Sequence, residues 1–290
     1  MQQIGKLLPE VEAKIMRLKE IGLTKQVSVE KSFHVCPTCK FELSKESEHG
    51  WLNAGFDETT HRTIVIPCPT CSKNARARME SSAQADLVSR LFGGSHIPHR
   101  MRHYTFASYP DNGDQNAKHV AMRFVEQALA GNEDMQRGLF LGGLPGRGKT
   151  GLAVCVLKAA LEVGQTGLFV MSLDLLHRIK ATFNKETGVS SDELLDVVCR
   201  VPWLVLDDLA VERGTDFALE QLYFLIEQRR AKGLFTIFTS NLSTRDLEAY
   251  WRPKGTPEGA FHAGMRIVER IREYCLGVIV QGENLREGEW

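Results

Sequence analysis

Gly143-Leu144-Pro145-Gly146-Arg147-Gly148-Lys149-Thr150 fits the pattern G-x-x-x-x-G-K-[ST] at every fixed position. No other stretch constrains the fold as tightly, because the pattern works only as the turn between a buried strand and a helix. The apolar run Leu139-Phe140-Leu141 precedes it, and Leu152-Ala153-Val154-Cys155-Val156-Leu157, which reads as a helix, follows. In that setting glycines let backbone N–H groups turn inward around phosphates, and the helix N-terminus adds its partial positive charge. Lys149 is expected to reach the β- and γ-phosphates, and Thr150 to place its hydroxyl on Mg²⁺. The expected phosphate-binding set is Gly143, Pro145, Gly146, Arg147, Gly148, Lys149, Thr150 and Gly151.

Beyond this loop, apolar runs alternate with helical patterns. Strands are expected at Leu168 to Met171, Trp203 to Leu206, Phe235 to Thr239 and Val278 to Val280. Helices are expected near Leu173 to Phe183, Ser191 to Cys199 and Asp216 to Ala231, with one from Gln115 to Ala130 ahead of the loop. Continuous apolar strands separated by helices argue a parallel sheet covered on both faces, an α/β fold. Leu204-Val205-Leu206-Asp207-Asp208 is a buried strand ending in two carboxylates, and ligands collect at the carboxyl ends of such strands. Asp207 is expected to hold Mg²⁺, and Asp208 to orient or deprotonate an attacking water, with Glu212 as a possible contributor. Asn241, ending the next strand in Thr239-Ser240-Asn241, offers an amide to the same water or to the γ-phosphate. Arg266 and Arg270 are four apart and share one helix face. They read either as a surface ion-pair helix or as a pair reaching a neighbouring subunit's γ-phosphate, with Arg286 as a sensor of the chain's own nucleotide. Tyr104 and Phe106 read either as covers for the base or as core.

The N-terminal part differs in kind. A helix is expected from about Pro9 to Ile21, followed by Cys36-Pro37-Thr38-Cys39, 28 intervening residues, and Cys68-Pro69-Thr70-Cys71. Two C-x-x-C knuckles at this separation point to Zn²⁺ held by four thiolates in a closed, structural site. From Ser72 to His103 six basic residues face two acidic ones, read as a solvated hinge or a DNA-contacting patch. The expected domains are 1–79, with the helix and zinc site, a basic linker at 80–103, and the P-loop body at 104–290. Over the whole chain of 290 residues, Lys plus Arg equals Asp plus Glu at 36 each, so any nucleic-acid site must be local. No apolar run of about 18 residues offers a membrane span. An N-terminus without a signal-peptide layout, and the unpaired Cys155, Cys199 and Cys275, lead us to expect a cytoplasmic protein.

From Ile97 to Arg286 the order of these motifs resembles the AAA+ ATPases of the DnaC/DnaI type, the replicative-helicase loaders, and their relatives, the IstB-type transposition helper ATPases. The residues that carry the resemblance are Ile97-Pro98 with Thr105-Phe106, the GLPGRGKT loop, Leu206-Asp207-Asp208-Leu209, Leu222-Tyr223 with Gln228-Arg229-Arg230, Thr239-Ser240-Asn241-Leu242, and Arg266-Ile267-Val268-Glu269-Arg270. The resemblance implies an AAA+ core with a five-stranded parallel sheet, ATP and Mg²⁺ as ligands, and a homo-oligomer that binds single-stranded DNA. It also implies a hexameric replicative helicase as partner, contacted through the zinc-bearing N-terminal domain. A helper ATPase acting on duplex DNA is the alternative, and a weakly hydrolysing adaptor is a third reading, because Asp208 is one methylene shorter than the glutamate common in such sites. Thr182, Phe183, Asn184 and Lys185 are candidates for contacting single strands.

Overall fold

A computed structural model of the chain describes residues 82–183, 190–209, 215–255, 257 and 262–286, with four two-residue strands nearer the N-terminus. The chain divides into two units, Met1–Glu80 and Ser81–Trp290. In the first, Ser32–Phe33 pairs antiparallel with Trp51–Leu52, and Phe56–Asp57 with Arg62–Thr63. The helix expected at Pro9 to Ile21 and all four of Cys36, Cys39, Cys68 and Cys71 lie outside the described residues.

The second unit is built on five parallel strands: β1 (Gly138–Gly142), β2 (Gly167–Met171), β3 (Trp203–Leu209), β4 (Phe235–Ser240) and β5 (Cys275–Ile279). Their order across the sheet is β2-β3-β4-β1-β5. The helices are α1 (82–92), α2 (Gln115–Leu129), α3 (Lys149–Glu162), α4 (Ser172–Phe183), α5 (Ser191–Arg200), α6 (Asp216–Ala231), α7 (Thr244–Tyr250) and α8 (Ala263–Tyr274). The parallel five-stranded sheet is the one expected. Two separate apolar cores cover its faces, which is why β1 and β3 are apolar at successive positions and do not alternate. One contains Phe140, Leu204, Leu206 and Phe238, and the other Leu139, Leu141, Val205 and Ile237. Helix α3 is buried at Leu152, Ala153, Val154, Cys155, Val156 and Leu157, apolar all round.

Within the stretch read as a basic linker, Val88, Phe92 and Ile97 are buried in the cores of the second unit. The last strand starts at Cys275, directly after Tyr274 ends α8, so no turn residue marks the junction. Cys155, Cys199 and Cys275 are buried free thiols, and burial pushes Cys155 up to about 12, which makes them core filling and poor nucleophiles. Among the described residues no helix is long and apolar enough to cross a membrane.

Candidate nucleotide site

The strand order places the carboxyl end of β1 beside that of β4, which in turn adjoins β3. Three motifs far apart in sequence therefore converge on one edge. The loop leaving β1 turns on Gly146 (φ 80°) and Gly148 (φ 88°), a backbone region that side chains disfavour. Space is closed as well: a Cβ on Gly148 would stand 2.5 Å from the Tyr109 hydroxyl, and one on Gly146 would collide with the Asn284 amide.

Lys149 opens α3 and points back into the loop. Its ammonium donates to Gly143 O at 2.7 Å, Leu144 O at 2.8 Å and Asn241 Oδ1 at 2.9 Å. Burial pulls it down to about 8, with the Asp208 charge pushing the other way.

The two carboxylates owe their placement to an irregularity in β3. The β3–β4 register runs Leu206↔Phe238 and then Leu209↔Ser240, so Asp207 and Asp208 together face the single residue Thr239. Asp208 has φ 59°, the left-handed region that a non-glycine residue seldom occupies. Consecutive strand residues ordinarily point to opposite faces. A bulge breaks that alternation and lets both side chains bear on the same edge. Thr239 supports both: its hydroxyl donates to Asp207 Oδ1 at 2.6 Å and accepts the Asp208 N–H at 2.9 Å. Ser172 holds the bulge from β2's side by donating to Asp208 O at 2.9 Å.

Asp207 Oδ1 also accepts from the Thr150 hydroxyl at 2.9 Å, and Asp208 Oδ1 from the Asn241 amide at 3.1 Å. Asn241 thereby links Lys149 to Asp208 through its two amide atoms. Burial raises both carboxyls above the usual range, opposed at Asp207 by the Thr239 and Thr150 hydroxyls and at Asp208 by Lys149 and Arg286.

The residues present fit a magnesium nucleotide. Thr150 and Asp207 offer hard oxygen donors side by side, suited to a cation that keeps several waters and takes the rest of its shell from phosphate. The carbonyl and amide partners of Lys149 are neutral, so a phosphate oxygen competes with them on favourable terms. Among the described residues no group of three or more His, Cys, Asp or Glu side chains makes an all-protein metal site.

Other expected residues fall elsewhere. Arg266 stacks over the Tyr223 ring at 4.2 Å, and Arg270 pairs with Glu227 at 2.8 Å and Glu273 at 2.9 Å, contacts on α6 and α8 and not at the loop. The Tyr104 ring packs so close to α3 that a Cβ on Gly151 would stand 2.9 Å from it, while Phe106 packs on the core. Glu212, Asn184 and Lys185 lie outside the described residues, and the Thr182 hydroxyl donates back to Ile179 O at 2.6 Å. Sequence reasoning missed Thr239 and Ser172 as supports and Tyr109 altogether. A hydroxyl opposite an acidic strand end is the only signal that pointed to the first.

With that geometry in hand, the family model described as IstB-like ATP binding protein matches residues 99–288, about two thirds of the chain. The chain belongs to this family. The replicative helicase loader DnaC of Buchnera aphidicola subsp. Baizongia pistaciae is 25% identical over 189 residues, 65% of this chain and 71% of the relative. Among solved structures, DnaI superposes with a TM-score of 0.54 at 26% identity, covering 64% of this chain and 95% of that one. The DnaC helicase loader gives 0.52 at 29% identity, covering 63% and 100%. The second unit of this IstB-like chain thus has the α/β AAA+ P-loop fold of an ATP-binding family.

Proposed function

We propose that the chain is an ATP-hydrolysing loader of a replicative helicase, working as an oligomer on single-stranded DNA. The observation that carries this is the hydrogen-bonded chain Lys149–Asn241–Asp208 beside the Thr150–Asp207 pair. When bound, magnesium ATP supplies the phosphoanhydride bond and a divalent charge at that edge. Gly146, Arg147, Gly148, Lys149, Thr150 and Gly151 present backbone N–H groups at the start of α3. Lys149 neutralises phosphate charge, Thr150 and Asp207 hold the metal, and Asn241 fixes the carboxylate of Asp208. Burial makes Asp208 more basic than an exposed aspartate, which suits a residue that orients water and takes its proton. Arg270, with Arg266 beside it, serves the neighbouring subunit's site, a contribution worth roughly 10³–10⁵ in rate where such fingers act. Arg286 senses the chain's own nucleotide.

The names of the DnaC and DnaI relatives support the loader reading. Residues 1–79 would carry the helicase contact, with Cys36, Cys39, Cys68 and Cys71 holding zinc; atomic absorption of the purified chain at one zinc per copy is the expected result. The test of function is co-elution of the full chain with its host's hexameric replicative helicase, alongside ATPase rates with single-stranded and duplex DNA. Co-elution with single-strand stimulation is expected. Stimulation by duplex alone, without helicase binding, would assign the chain to the transposition helpers, the reading that the family's name favours.

A further inference from the structure

Beyond β5 the chain turns back along the phosphate loop and is tied to it repeatedly. The Val280 N–H donates to Gly142 O at 2.8 Å, extending the β1–β5 ladder, and the Leu285 N–H donates to Gly146 O at 2.9 Å. The Arg147 guanidinium reaches across to Gly282 O at 2.6 Å. A Cβ on Gly143 would stand 2.5 Å from Val280 O, so the two backbones touch. The other side of this segment is held just as firmly. The Gln281 N–H donates to Asp114 Oδ2 at 2.7 Å, while Asp114 Oδ1 caps α2 by accepting from the Ala117 N–H at 2.9 Å. The Glu283 N–H donates to Asn112 O at 3.2 Å.

A phosphate loop needs its N–H groups turned inward, and the carbonyls then face outward and require donors of their own. Leu285 supplies one to Gly146. Arg147 occupies a variable position of the loop pattern, and its charge goes to the strap, which leaves only its backbone for phosphate. The strap also ends in Arg286, whose charge bears on both Lys149 and Asp208.

We infer that Arg147 is a positioning residue: by tying residues 280–286 to the loop it delivers Arg286 to the phosphate end. This rests on the nucleotide reading of the site. A hydrogen bond from a charged donor contributes enough that its loss corresponds to about tenfold in affinity.

The experiment measures magnesium-dependent binding of a fluorescent ATP analogue to the full chain and to R147M, R147K, R286A and R147M/R286A, with unfolding midpoints recorded for each. R147M is expected to bind about tenfold more weakly, and R147K to recover most of the affinity, because an ammonium still reaches Gly282 O. The double variant is expected within about twofold of R286A, since both changes remove the same delivered charge. Wild-type affinity in R147M, or losses that simply multiply in the double variant, would overturn the inference while leaving the site intact. Wild-type affinity in R286A would withdraw Arg286 from the proposed function and with it the delivery step. If R147M does not fold, Leu285→Pro cuts the strap from its own side and is expected to show the same loss.

Discussion

Lys149 and Arg229 are both buried cations held by neutral oxygens, and they sit at opposite ends of the sheet. Arg229 on α6 is fully buried. It donates to Thr236 Oγ1 at 2.9 Å, Val198 O at 2.7 Å, Val201 O at 2.8 Å and Phe235 O at 2.6 Å. Those acceptors are the end of α5 and the start of β4, so one guanidinium closes a helix and joins three elements. Burial pulls it down to about 10, which leaves it charged at neutral pH. Across the sheet, in the other core, the Trp203 and Phe235 rings stack at 4.3 Å and Phe124 meets both edge-on. Lys149 has the same kind of partners, but they belong to a turn at the carboxyl ends of β1 and β4. The contrast teaches that buried charge alone does not mark a functional site. A cation whose acceptors lie inside the core is architecture; one held by a partly exposed turn and flanked by paired carboxylates is, on the function proposed above, a binding device.

Breaking the architectural half should have the larger effect. Arg229→Ala leaves three buried carbonyls without donors, and a loss of about 4 kcal/mol in urea unfolding is expected. The folded fraction should bind nucleotide normally. On the device side, Asn241→Ala removes the link between Lys149 and Asp208. We expect kcat for ATP to fall about 10–100-fold with affinity changed far less, measured by steady-state hydrolysis. The side-chain cap of α8 sharpens the contrast because it works only when neutral. His262 Nδ1 accepts the Met265 N–H at 3.2 Å at the start of α8, and burial lowers its pKa below the ordinary value. The folded protein therefore resists a proton that the unfolded chain takes up. Stability from this residue is present above the unfolded pKa near 6.5 and is lost as pH falls from there through the lower folded value. His262→Asn keeps a cap and should remove that share of the pH dependence, under about 1 kcal/mol between pH 7 and 5.

Much of this was legible from residue order. The loop pattern with its apolar flanks located β1 and α3, and helix α6 spans Asp216–Ala231 as its periodicity predicts. Thr150 lies against Asp207, and Asn241 against Lys149 and Asp208, because strand ends in a parallel sheet share one edge. The bulge at Asp208 was not legible, since it depends on the count of residues paired between β3 and β4, which no local pattern fixes. Residues 281–286 carry turn-forming types but no periodicity, and only the fold shows them lying on the loop. Helix α7, Thr244–Tyr250, is too short for its apolar spacing to register, although Ser243 and Asp246 form a capping box at its start. The closing strand begins at Cys275, three residues ahead of the apolar run Val278 to Val280, because Gly277 interrupts its pattern.

The most direct measurement is equilibrium binding of an ATP analogue to the wild-type chain and to Lys149→Ala, each with and without Mg²⁺ and each with its unfolding curve. Metal-dependent binding that weakens at least about 100-fold in the variant, while unfolding shifts by less than about 1 kcal/mol, is the expected result. Equal affinity in both proteins would contradict the assignment of this edge as the nucleotide site and leave Lys149 a structural cation like Arg229.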